Sequence, residues 1–349
     1  MSAIPAHPLA ADLERVLAGT NGLWEELRGG RIFITGGTGF FGMWLLESLA
    51  RANRGLNLGV EAVVLTRDAG AFARKAPHLA RDAMMRWHEG DVRTFAFPAG
   101  DFSHVIHAAT QSSARDLAPL EVMDTIVTGT RRVLELARQR GVQKMLLTSS
   151  GAVYGRLPTG MRVSEEYAGG PEVAISREAY GEGKRLAEML GAIYAEQYGI
   201  EVKIARGFAF VGPWLPLEAH FAVGNFIRDG LAGGAIRVAG DGTAQRSYLY
   251  AADLAVWLWT ILFRGASKRP YNVGSDAAIS IRELADAVAG GFTPAPEVVV
   301  AQTYDPAIPV EWYVPDTGRA TRELGLHATV DLPEAIRRTI AWHRQIGRG

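Results

Sequence analysis

The chain contains 349 residues, of which 48% are hydrophobic, 37 are basic and 37 are acidic, and it contains no cysteine. This composition excludes a disordered or collagen-like protein. The lack of cysteine excludes disulfides, a cysteine nucleophile and thiolate metal sites. Because the formal net charge is zero, we expect no general attraction to nucleic acid or to a membrane surface.

No segment has the pattern of a targeting or membrane-spanning element. Residues 1–10 lack the basic head and the apolar core of a signal peptide. The longest apolar run, residues 254–263, is about half as long as a membrane span and predicts a buried helix. We therefore expect a soluble protein in the cytoplasm.

Short β-rich runs alternate with helical segments through the first half of the chain. Residues 9–17 have the apolar spacing of a short amphipathic helix that packs on the main body. The sequence then predicts strands at residues 31–35, 61–66, 85–88, 104–109 and 144–149, with helices between them, notably at 120–139. Strands that alternate with helices indicate crossover connections and a parallel sheet covered on both faces.

The order of elements is less regular after residue 150. The sequence predicts a long helix at residues 177–198, a strand at 202–205 and a C-terminal helix at 333–344. Residues 236–250 have the pattern of a β-hairpin that turns at Asp241-Gly242.

A glycine-rich turn, TGGTGFFG, follows the first strand and opens a helix. Gly36 permits a tight turn, Gly39 lets a pyrophosphate approach the backbone, and Gly42 lets the helix pack closely on the strand. The phosphates would lie at the positive end of the helix. The sequence therefore predicts a dinucleotide site with the turn residues Gly36, Thr38, Gly39, Phe40, Phe41 and Gly42.

This turn completes the predicted fold class, which is an α/β Rossmann-type doubly wound parallel sheet with a smaller, mixed α/β C-terminal substrate domain. We divide the chain into a helical extension (1–29), a dinucleotide-binding domain with the catalytic residues (30–206) and a mainly substrate-binding domain (207–349). Some segments of the last domain are expected to return to the sheet.

The end of the second strand bears on the choice of cofactor. An acidic residue at this position holds the adenosine ribose, but here Thr66 and Arg67 occupy it. Arg67 could pair with a 2′-phosphate through two hydrogen bonds, which favours NADP over NAD. Two alternatives stay open, because Arg67 could be a solvated arginine and Asp68 could still reach the ribose.

A serine, a tyrosine and a lysine form the candidate catalytic group. Ser150 follows the fifth strand, and Tyr180 and Lys184 are four residues apart on one face of a predicted helix. Lys184 is one of only five lysines in the chain. A nearby ammonium and a positive nicotinamide ring would stabilise the Tyr180 phenolate. Tyr180 could then remove a hydroxyl proton as a hydride leaves the same carbon, while Ser150 holds the oxygen and Lys184 binds the nicotinamide ribose.

These residues together resemble the extended short-chain dehydrogenase/reductase family, in particular its nucleotide-sugar epimerases, dehydratases and reductases. The resemblance covers about residues 30–342 and implies a homodimer formed through helices like 120–139 and 177–198. It implies cofactor contacts at Asp91, Val92, Ala108 and Ala109. It also implies that Asn225 contacts the nucleotide and that Arg246 binds the substrate diphosphate.

The chain departs from this family at several positions. The 4,6-dehydratases that it resembles carry an Asp-Glu pair after the active-site Ser or Thr, and the decarboxylases keep the Glu, whereas this chain has Gly151 and Ala152. Neither residue transfers protons, so elimination and decarboxylation are disfavoured, and epimerases and 4-ketoreductases need only the three catalytic residues. Ile126 and Ala209 stand where the family often has asparagine.

The sequence therefore predicts an NAD(P)-dependent nucleotide-sugar enzyme that acts as a 4-epimerase or 4-ketoreductase. The alternatives are a dehydratase or decarboxylase despite the missing carboxyls, a reductase of a non-sugar carbonyl, and a cofactor-binding regulator without turnover. No metal site is expected, because His104 and His107 would face opposite sides of a strand. Glu165-Glu166 is expected to lie in a solvated loop.

Overall fold

The computed structural model describes residues 8–110 and 118–346. The first seven residues of the predicted extension lie outside the described part. The strands in chain order are β1 (Arg31–Thr35), β2 (Glu61–Thr66), β3 (Met85–Glu89), β4 (His104–His107), β5 (Lys144–Ser150), β6 (Glu201–Gly207), β7 (Phe210–Val211), β8 (Ile236–Val238), β9 (Gln245–Arg246), β10 (Leu249–Tyr250), β11 (Pro270–Val273), β12 (Ile279–Ser280), β13 (Val298–Val300) and β14 (Trp312–Tyr313).

The helices cover both faces of the main sheet and much of the C-terminal part. They are α1 (Ala10–Gly19), α2 (Phe40–Leu56), α3 (Ala69–Lys75), α4 (Pro77–Ala80), α5 (Pro119–Gln139), α6 (Ala179–Tyr198), α7 (Ala222–Leu231), α8 (Ala251–Arg264), α9 (Ile281–Ala289), α10 (Gly318–Leu324) and α11 (Leu332–Ile346). Short 3-10 turns lie at Trp24–Leu27, Gly151–Tyr154 and Ser176–Glu178. The last of these turns explains why α6 begins two residues later than expected.

Seven strands form one sheet in the order β11-β6-β5-β4-β1-β2-β3. Every neighbouring pair in it is parallel. The order reverses at β1, which lies between β2 and β4, so a crevice opens beyond the carboxyl ends of these strands. This arrangement confirms the predicted α/β Rossmann-type fold. β11 returns to the sheet from the C-terminal part of the chain.

Alternating strand residues supply two apolar layers, because side chains point to opposite faces every second residue. Ile32 and Ile34 of β1 pack in the layer that contains α2 and α8. Phe33 packs in the opposite layer, with residues of α5 and α6. α8 contains the apolar run and is almost entirely buried, which confirms that prediction. Among the residues that the structure describes, every helix is too short or too polar to span a bilayer.

The predicted amphipathic helix near the start of the chain is confirmed as α1. Its buried residues Leu13 and Val16 share an apolar cluster with residues of α8. Asp12 on the same helix accepts a hydrogen bond from Tyr250 at 2.5 Å and pairs with Arg338. The extension therefore packs against the segment that follows β10.

The predicted hairpin over residues 236–250 is wrong. Its two arms do not pair with each other: β8 pairs with β13, and β9 lies between β12 and β14. The Asp241-Gly242 turn is real, since the Asp241 carboxylate accepts a hydrogen bond from the Thr243 backbone N–H at 3.0 Å. A local turn signal does not determine which strands pair, and here both arms found partners from residues 279–313.

Candidate active site

The candidate site residues collect at the carboxyl edge of the parallel sheet. The glycine turn follows β1, Thr66 ends β2, Asp91 follows β3, Ala108 follows β4, and Ser150 ends β5. Parallel strands necessarily bring these ends together. α6 packs beside β5 and adds its tyrosine and lysine, while Arg246 reaches the edge from β9.

Two glycines of the turn are required by the protein itself. Gly36 has φ +72°, and a Cβ there would lie 2.3 Å from the Ala108 carbonyl carbon. A Cβ at Gly42 would lie 2.2 Å from the Gly36 oxygen. Both clashes are with backbone, which cannot move aside without a change in the strand–helix packing.

Gly39, the middle glycine of the turn, leaves room for a ligand. A Cβ at Gly39 would meet only the Gly36 oxygen, at an ordinary 3.4 Å, so no protein atom requires glycine there. Gly39 also begins α2 without a side-chain cap. The first N–H groups of a helix lack partners inside the helix and attract anions. The turn therefore fits a dinucleotide pyrophosphate, which would contact Gly39 and the N–H groups of Phe40 and Phe41.

The residues at the end of β2 bear on whether the site prefers NAD or NADP. Thr66 is buried, and its hydroxyl accepts the Asp68 N–H at 3.2 Å. The Asp68 carboxylate caps α3 by accepting the Ala71 N–H at 2.7 Å. Arg67 is exposed and has no ion-pair partner within residues 8–110 and 118–346. Asp68 is thus occupied by its own helix, whereas the Arg67 guanidinium remains available.

The residues after β3 and β4 have neighbours of different kinds. Arg93 holds Asp91 through two hydrogen bonds, at 2.8 and 2.9 Å, and lowers the pKa of Asp91 to about 2. Val92 is buried against α5. Ala108 touches the Gly36 turn, and the N–H of Ala109 donates to the Thr35 hydroxyl at 3.2 Å. Ala108 and Ala109 lie beside the turn, and the contacts of all four residues with a cofactor stay a prediction.

The three candidate catalytic residues converge. The Ser150 side chain is buried and accepts the Ala152 N–H at 3.1 Å, and its interaction with the Tyr180 hydroxyl lowers the pKa of that phenol. Lys184 is only 4% exposed, and its Nζ donates to the Thr148 carbonyl at 2.8 Å. The same Nζ lies 5.9 Å from the centre of the Tyr180 ring.

Burial dominates the protonation of this group. It raises the pKa of Tyr180, which the hydrogen bond with Ser150 offsets only in part. It lowers the pKa of Lys184 to about 8, against the opposing charge of Glu188. The ammonium alone therefore does not give Tyr180 a low pKa. The other half of the expectation, a positive ring beside the phenol, stays a prediction.

The two positions after Ser150 carry no carboxylate in this chain. Gly151 and Ala152 begin a 3-10 turn, and a Cβ on Gly151 would lie 2.7 Å from the Tyr313 hydroxyl oxygen and 2.7 Å from the Phe208 ring. Burial raises the pKa of Tyr313, and an interaction with Ser150 opposes this effect. Sequence reasoning missed Tyr313, because only the pairing of β14 with β9 brings it to the site.

The two predicted substrate residues differ in their contacts. Arg246 pairs with Glu311 at 2.6 Å, and its guanidinium lies 5.8 Å from the centre of the Tyr313 ring. Asn225, with its amide nitrogen turned toward the preceding loop, donates to the carbonyls of Leu217 and Ala219 at 3.0 and 2.9 Å. Arg246 is placed to meet an anion, whereas Asn225 anchors a loop, and its contact with a nucleotide stays a prediction.

A partly buried polar network connects the catalytic helix α6 to the sheet. Glu188 of α6 pairs with Arg206 of β6 at 2.6 Å and accepts from the Ser149 hydroxyl at 2.5 Å. Arg206 also donates to the Tyr154 hydroxyl at 2.9 Å. These bonds connect α6 to β5 and β6, which fixes Lys184 one turn away. Spacing alone did not reveal them, since each partner comes from a different element.

The expectation of a solvated loop at Glu165-Glu166 is wrong for Glu165. Its side chain is buried and accepts the Asn272 N–H at 2.8 Å, and burial raises its pKa. Glu166 is exposed at the surface beside it and pairs with Arg319. Glu165 joins the loop to β11, so it is a structural carboxylate and not a catalytic one.

The two histidines of β4 face different partners. The His107 ring nitrogens contact the Thr35 and Thr130 hydroxyls at 2.7 and 3.1 Å, and burial lowers the pKa of His107 to about 3. His104 contacts Ser103 and Glu26. Within the described residues, no group of three or more His, Asp or Glu side chains has the geometry to hold a metal ion.

Known proteins are similar in sequence to most of this chain. The chain is 31% identical over 308 residues to UDP-glucuronic acid decarboxylase 6 of Arabidopsis thaliana, covering 88% of this chain and 86% of the relative. It is 30% identical to UDP-glucuronic acid decarboxylase 1 of Xenopus tropicalis, covering 90% and 72%.

Solved structures agree with the sequence matches. A dTDP-glucose 4,6-dehydratase from Streptomyces venezuelae, solved with NAD bound, superimposes with a TM-score of 0.76 at 25% identity, covering 90% of this chain and 97% of that one. The UDP-glucose 4-epimerase of Thermus thermophilus, in complex with NAD, gives 0.73 at 26%, covering 90% and 99%. The model of the NAD-dependent epimerase/dehydratase family matches residues 32–274, which span the glycine turn, the catalytic trio and Arg246. The chain therefore belongs to the NAD-dependent epimerase/dehydratase family, an extended short-chain dehydrogenase/reductase group, as its motifs predicted.

Proposed function

We propose that this protein is an NAD(P)-dependent enzyme that oxidises or reduces one carbon of a nucleotide-linked sugar. We assign this carbon as C4. The observation that carries the proposal is the meeting of Ser150, Tyr180 and Lys184 beside the glycine turn, with neutral residues at 151 and 152. These three residues are sufficient for hydride transfer, so the activity that fits best is that of a 4-epimerase or a 4-ketoreductase.

Each of the three residues has a separate task in this reaction. A nicotinamide cofactor held by the turn would supply the hydride acceptor and donor. Tyr180 takes the proton from the sugar hydroxyl as the hydride leaves the same carbon, and returns a proton when the carbonyl is reduced. Ser150 holds the reacting oxygen. Lys184 favours the phenolate by its charge and is placed to bind the cofactor ribose.

Substitution of Tyr180 by phenylalanine tests this assignment. Tyr180→Phe should lower turnover of a nucleotide-sugar by about 10³-fold, because the proton-transfer group is lost while the ring remains. Cofactor affinity should stay within about twofold, a margin well under 1 kcal/mol. Turnover equal to that of the unsubstituted protein would contradict the assignment.

Decarboxylation is the second candidate, and the sequence matches favour it. Relatives at 30–31% identity are named UDP-glucuronic acid decarboxylases. Against it, Gly151 and Ala152 provide no acid or base after oxidation at C4. Incubation with UDP-glucuronate separates the two proposals, since only the decarboxylase releases carbon dioxide.

We infer a preference for NADP over NAD from the end of β2. The supporting observations are the exposed Arg67 guanidinium, which forms no ion pair within the described residues, and the use of Asp68 as a helix cap. Arg67→Ala should weaken NADPH binding about tenfold and leave NADH nearly unchanged, as expected for loss of a charged contact to the 2′-phosphate. Equal losses for both cofactors would remove the preference.

We also infer a homodimer formed through α5 and α6. The supporting observation is an exposed apolar stripe on α6, formed by Leu186, Met189 and Ile193 at helical spacing. Met189→Glu should convert a dimer to monomers in light scattering, and a dimer that persists would argue against this surface. The cytoplasmic location and the domain boundary at residue 206 stay predictions.

A further inference from the structure

Two successive residues of β5 hold two successive turns of α6. Tyr180, Lys184 and Glu188 are four residues apart on α6, so they lie on one face of this helix. Lys184 Nζ donates to the Thr148 carbonyl at 2.8 Å, and the Ser149 hydroxyl donates to the Glu188 carboxylate at 2.5 Å. Glu188 therefore shares a face with the two catalytic residues, one helical turn beyond the lysine.

The Lys184 ammonium is buried without a carboxylate in direct contact. It forms no ion pair in the part of the chain that the structure describes, and its hydrogen-bond partner there is the neutral Thr148 carbonyl. Burial lowers the pKa of Lys184, because it penalises the charged form, and the negative charge of Glu188 opposes this effect. A lysine in such surroundings stays charged near neutral pH only if a negative charge lies close to it.

The other groups that face Lys184 do not supply that charge. Tyr180, one turn earlier on α6, is a phenol whose pKa is raised by burial. His107 of β4 is affected by the charge of Lys184, and burial lowers the pKa of His107 to about 3, so its ring is neutral at pH 7. Thr148 of β5 offers its backbone carbonyl. Glu188 is therefore the negative charge that acts on the ammonium.

Groups on β5 and β6 fix the orientation of Glu188. Arg206 of β6 donates to both carboxylate oxygens, with 3.0 Å from Nε and 2.6 Å from Nη2. Two hydrogen bonds between one guanidinium and one carboxylate set the plane of both groups. The charge of Glu188 acts on Lys184 more strongly than that of Arg206, which indicates that the pair presents its negative member to the lysine.

We propose that Glu188 is a positioning residue for Lys184: its carboxylate, held by Ser149 and Arg206, keeps the neighbouring buried ammonium charged. This inference rests on the proposed hydride transfer, in which the charged form of Lys184 favours the phenolate of the catalytic tyrosine. It gives the Glu188–Arg206 pair a task beyond joining α6 to β6. Removal of the negative member alone would leave two cations in a poorly solvated region.

The test measures the titration of Lys184 directly by NMR. Full-length protein labelled with ¹³C at the ε carbon of lysine gives signals from only five lysines, and Lys184→Met identifies the relevant one. Glu188→Gln keeps the size of the side chain and removes its charge. We expect the midpoint of the Lys184 titration to fall by about one pH unit, which is a tenfold change in the protonation equilibrium. A midpoint equal to that of the unsubstituted protein would overturn the inference.

Glu182→Gln is the matched control on the same helix. Glu182 is two residues from Lys184 and so lies on a different face of α6, where it pairs with the exposed Arg185 at 3.7 Å. This substitution removes the same charge and should leave the Lys184 midpoint unmoved. A shift as large as that of Glu188→Gln would show that any carboxylate of α6 has this effect, and it would overturn the assignment to Glu188.

A second variant keeps the inference testable if Glu188→Gln does not fold. Loss of one member of a buried pair leaves an unpaired charge, which is strongly destabilising, whereas replacement of both members is often tolerated. Glu188→Gln combined with Arg206→Met removes both charges and retains an acceptor for the Ser149 hydroxyl. The Lys184 midpoint should again fall, by less than in the single variant, because the Arg206 charge is gone too. An unmoved midpoint in this double variant would overturn the inference.

Turnover separates a failure of this inference from a failure of the proposed function. The ratio of kcat for Glu188→Gln to kcat for the unsubstituted protein should fall about tenfold from about pH 6 to about pH 9, because the variant loses the ammonium first. If the Lys184 signal does not shift, only the role of Glu188 fails. If the signal shifts and the ratio stays constant, turnover does not use the charge of Lys184, and the proposed mechanism fails at that residue. Full turnover in Tyr180→Phe would defeat the hydride-transfer assignment whatever Glu188 does.

Discussion

The cofactor side and the substrate side of the site are built by different means. The cofactor side is one strand–turn–helix unit. Glycine is required at positions 36 and 42 because a Cβ there would clash with backbone, either of the same turn or of the residue that follows the neighbouring strand β4. The substrate side brings together Ser150 of β5, Arg246 of β9 and Tyr313 of β14, which are far apart in sequence. The first is a local construction, and the second depends on strand pairing over long distances.

This difference determines how each side responds to change. The cofactor side depends on atoms that cannot move, so a single added carbon disrupts it. The substrate side depends on side chains held by aromatic and ionic contacts, so changes there should be graded.

The largest effect is expected for Gly42→Ala. The added carbon would lie 2.2 Å from the Gly36 oxygen and 2.3 Å from the Gly37 Cα, so α2 must shift away from the turn. We expect a loss of about 3 kcal/mol in the free energy of unfolding, together with loss of cofactor binding. Gly39→Ala is the matched control: its Cβ has room within the protein, so it should unfold normally and lose only cofactor affinity. Equal stability of the two variants would contradict the distinction.

Gly151→Ala should have a smaller effect, confined to the substrate side. The new carbon would press on the Phe208 ring and the Tyr313 hydroxyl, both at 2.7 Å. These side chains can give way, so we expect turnover to fall by about tenfold to a hundredfold while cofactor affinity is retained. Gly234→Ala, where no side chain lies within 4 Å, serves as the control for kcat measurements. Loss of cofactor binding in Gly151→Ala would show that the two sides are not separable.

Lys184 lies where the cofactor and substrate sides meet. Its burial predicts that the free energy of unfolding depends on pH. Burial lowers the pKa of Lys184 from 10.5 to about 8 in the folded protein, so folding penalises the charged form. The penalty is fully present below about pH 8 and disappears as the pH rises toward the unfolded value of 10.5. Relative to Lys184→Met, the unsubstituted protein should gain on the order of a few kcal/mol between these limits. Denaturant unfolding of both proteins across this range measures the difference, and a constant difference would refute the burial of the ammonium.

The smallest effect is expected for Glu311→Gln. The Glu311 carboxylate pairs with Arg246 at 2.6 Å and competes with any anion that this arginine binds. Because Glu311 is exposed, its removal should lower KM for a nucleotide-sugar only about threefold, and less at high salt. Glu196→Gln removes an equally exposed partner, of Lys268, and should leave KM unchanged. A higher KM in Glu311→Gln would show that this carboxylate assists binding.

Sequence patterns predicted the local construction well because its causes are local. The positions of Gly36 and Gly42 report backbone sterics directly, and the four-residue spacing of Tyr180 and Lys184 places both on one helix face. The apolar run that became α8 is likewise visible in the chain. Each of these features is determined by neighbours within one or two elements.

The substrate side could not be predicted in the same way. The turn at Asp241-Gly242 suggested a hairpin, yet β9 pairs with β12 and β14, which no local pattern specifies. Tyr313 and the burial of Glu165 depend on the same long-range contacts. Burial of Tyr180 raised its pKa, and a spacing argument contains no information about burial.

The mass and configuration of the product show whether the enzyme only transfers a hydride or also removes water or carbon dioxide. Purified protein would be incubated with a nicotinamide cofactor and, in separate reactions, UDP-glucose, UDP-glucuronate or a nucleotide-linked 4-keto sugar, and the nucleotide-sugars would be analysed by mass spectrometry and chromatography. The account predicts a product of unchanged mass and altered configuration, or conversion of a 4-keto sugar to the alcohol, both lost in Tyr180→Phe. A product lighter by water or by carbon dioxide would contradict it, because Gly151 and Ala152 supply no group for either step.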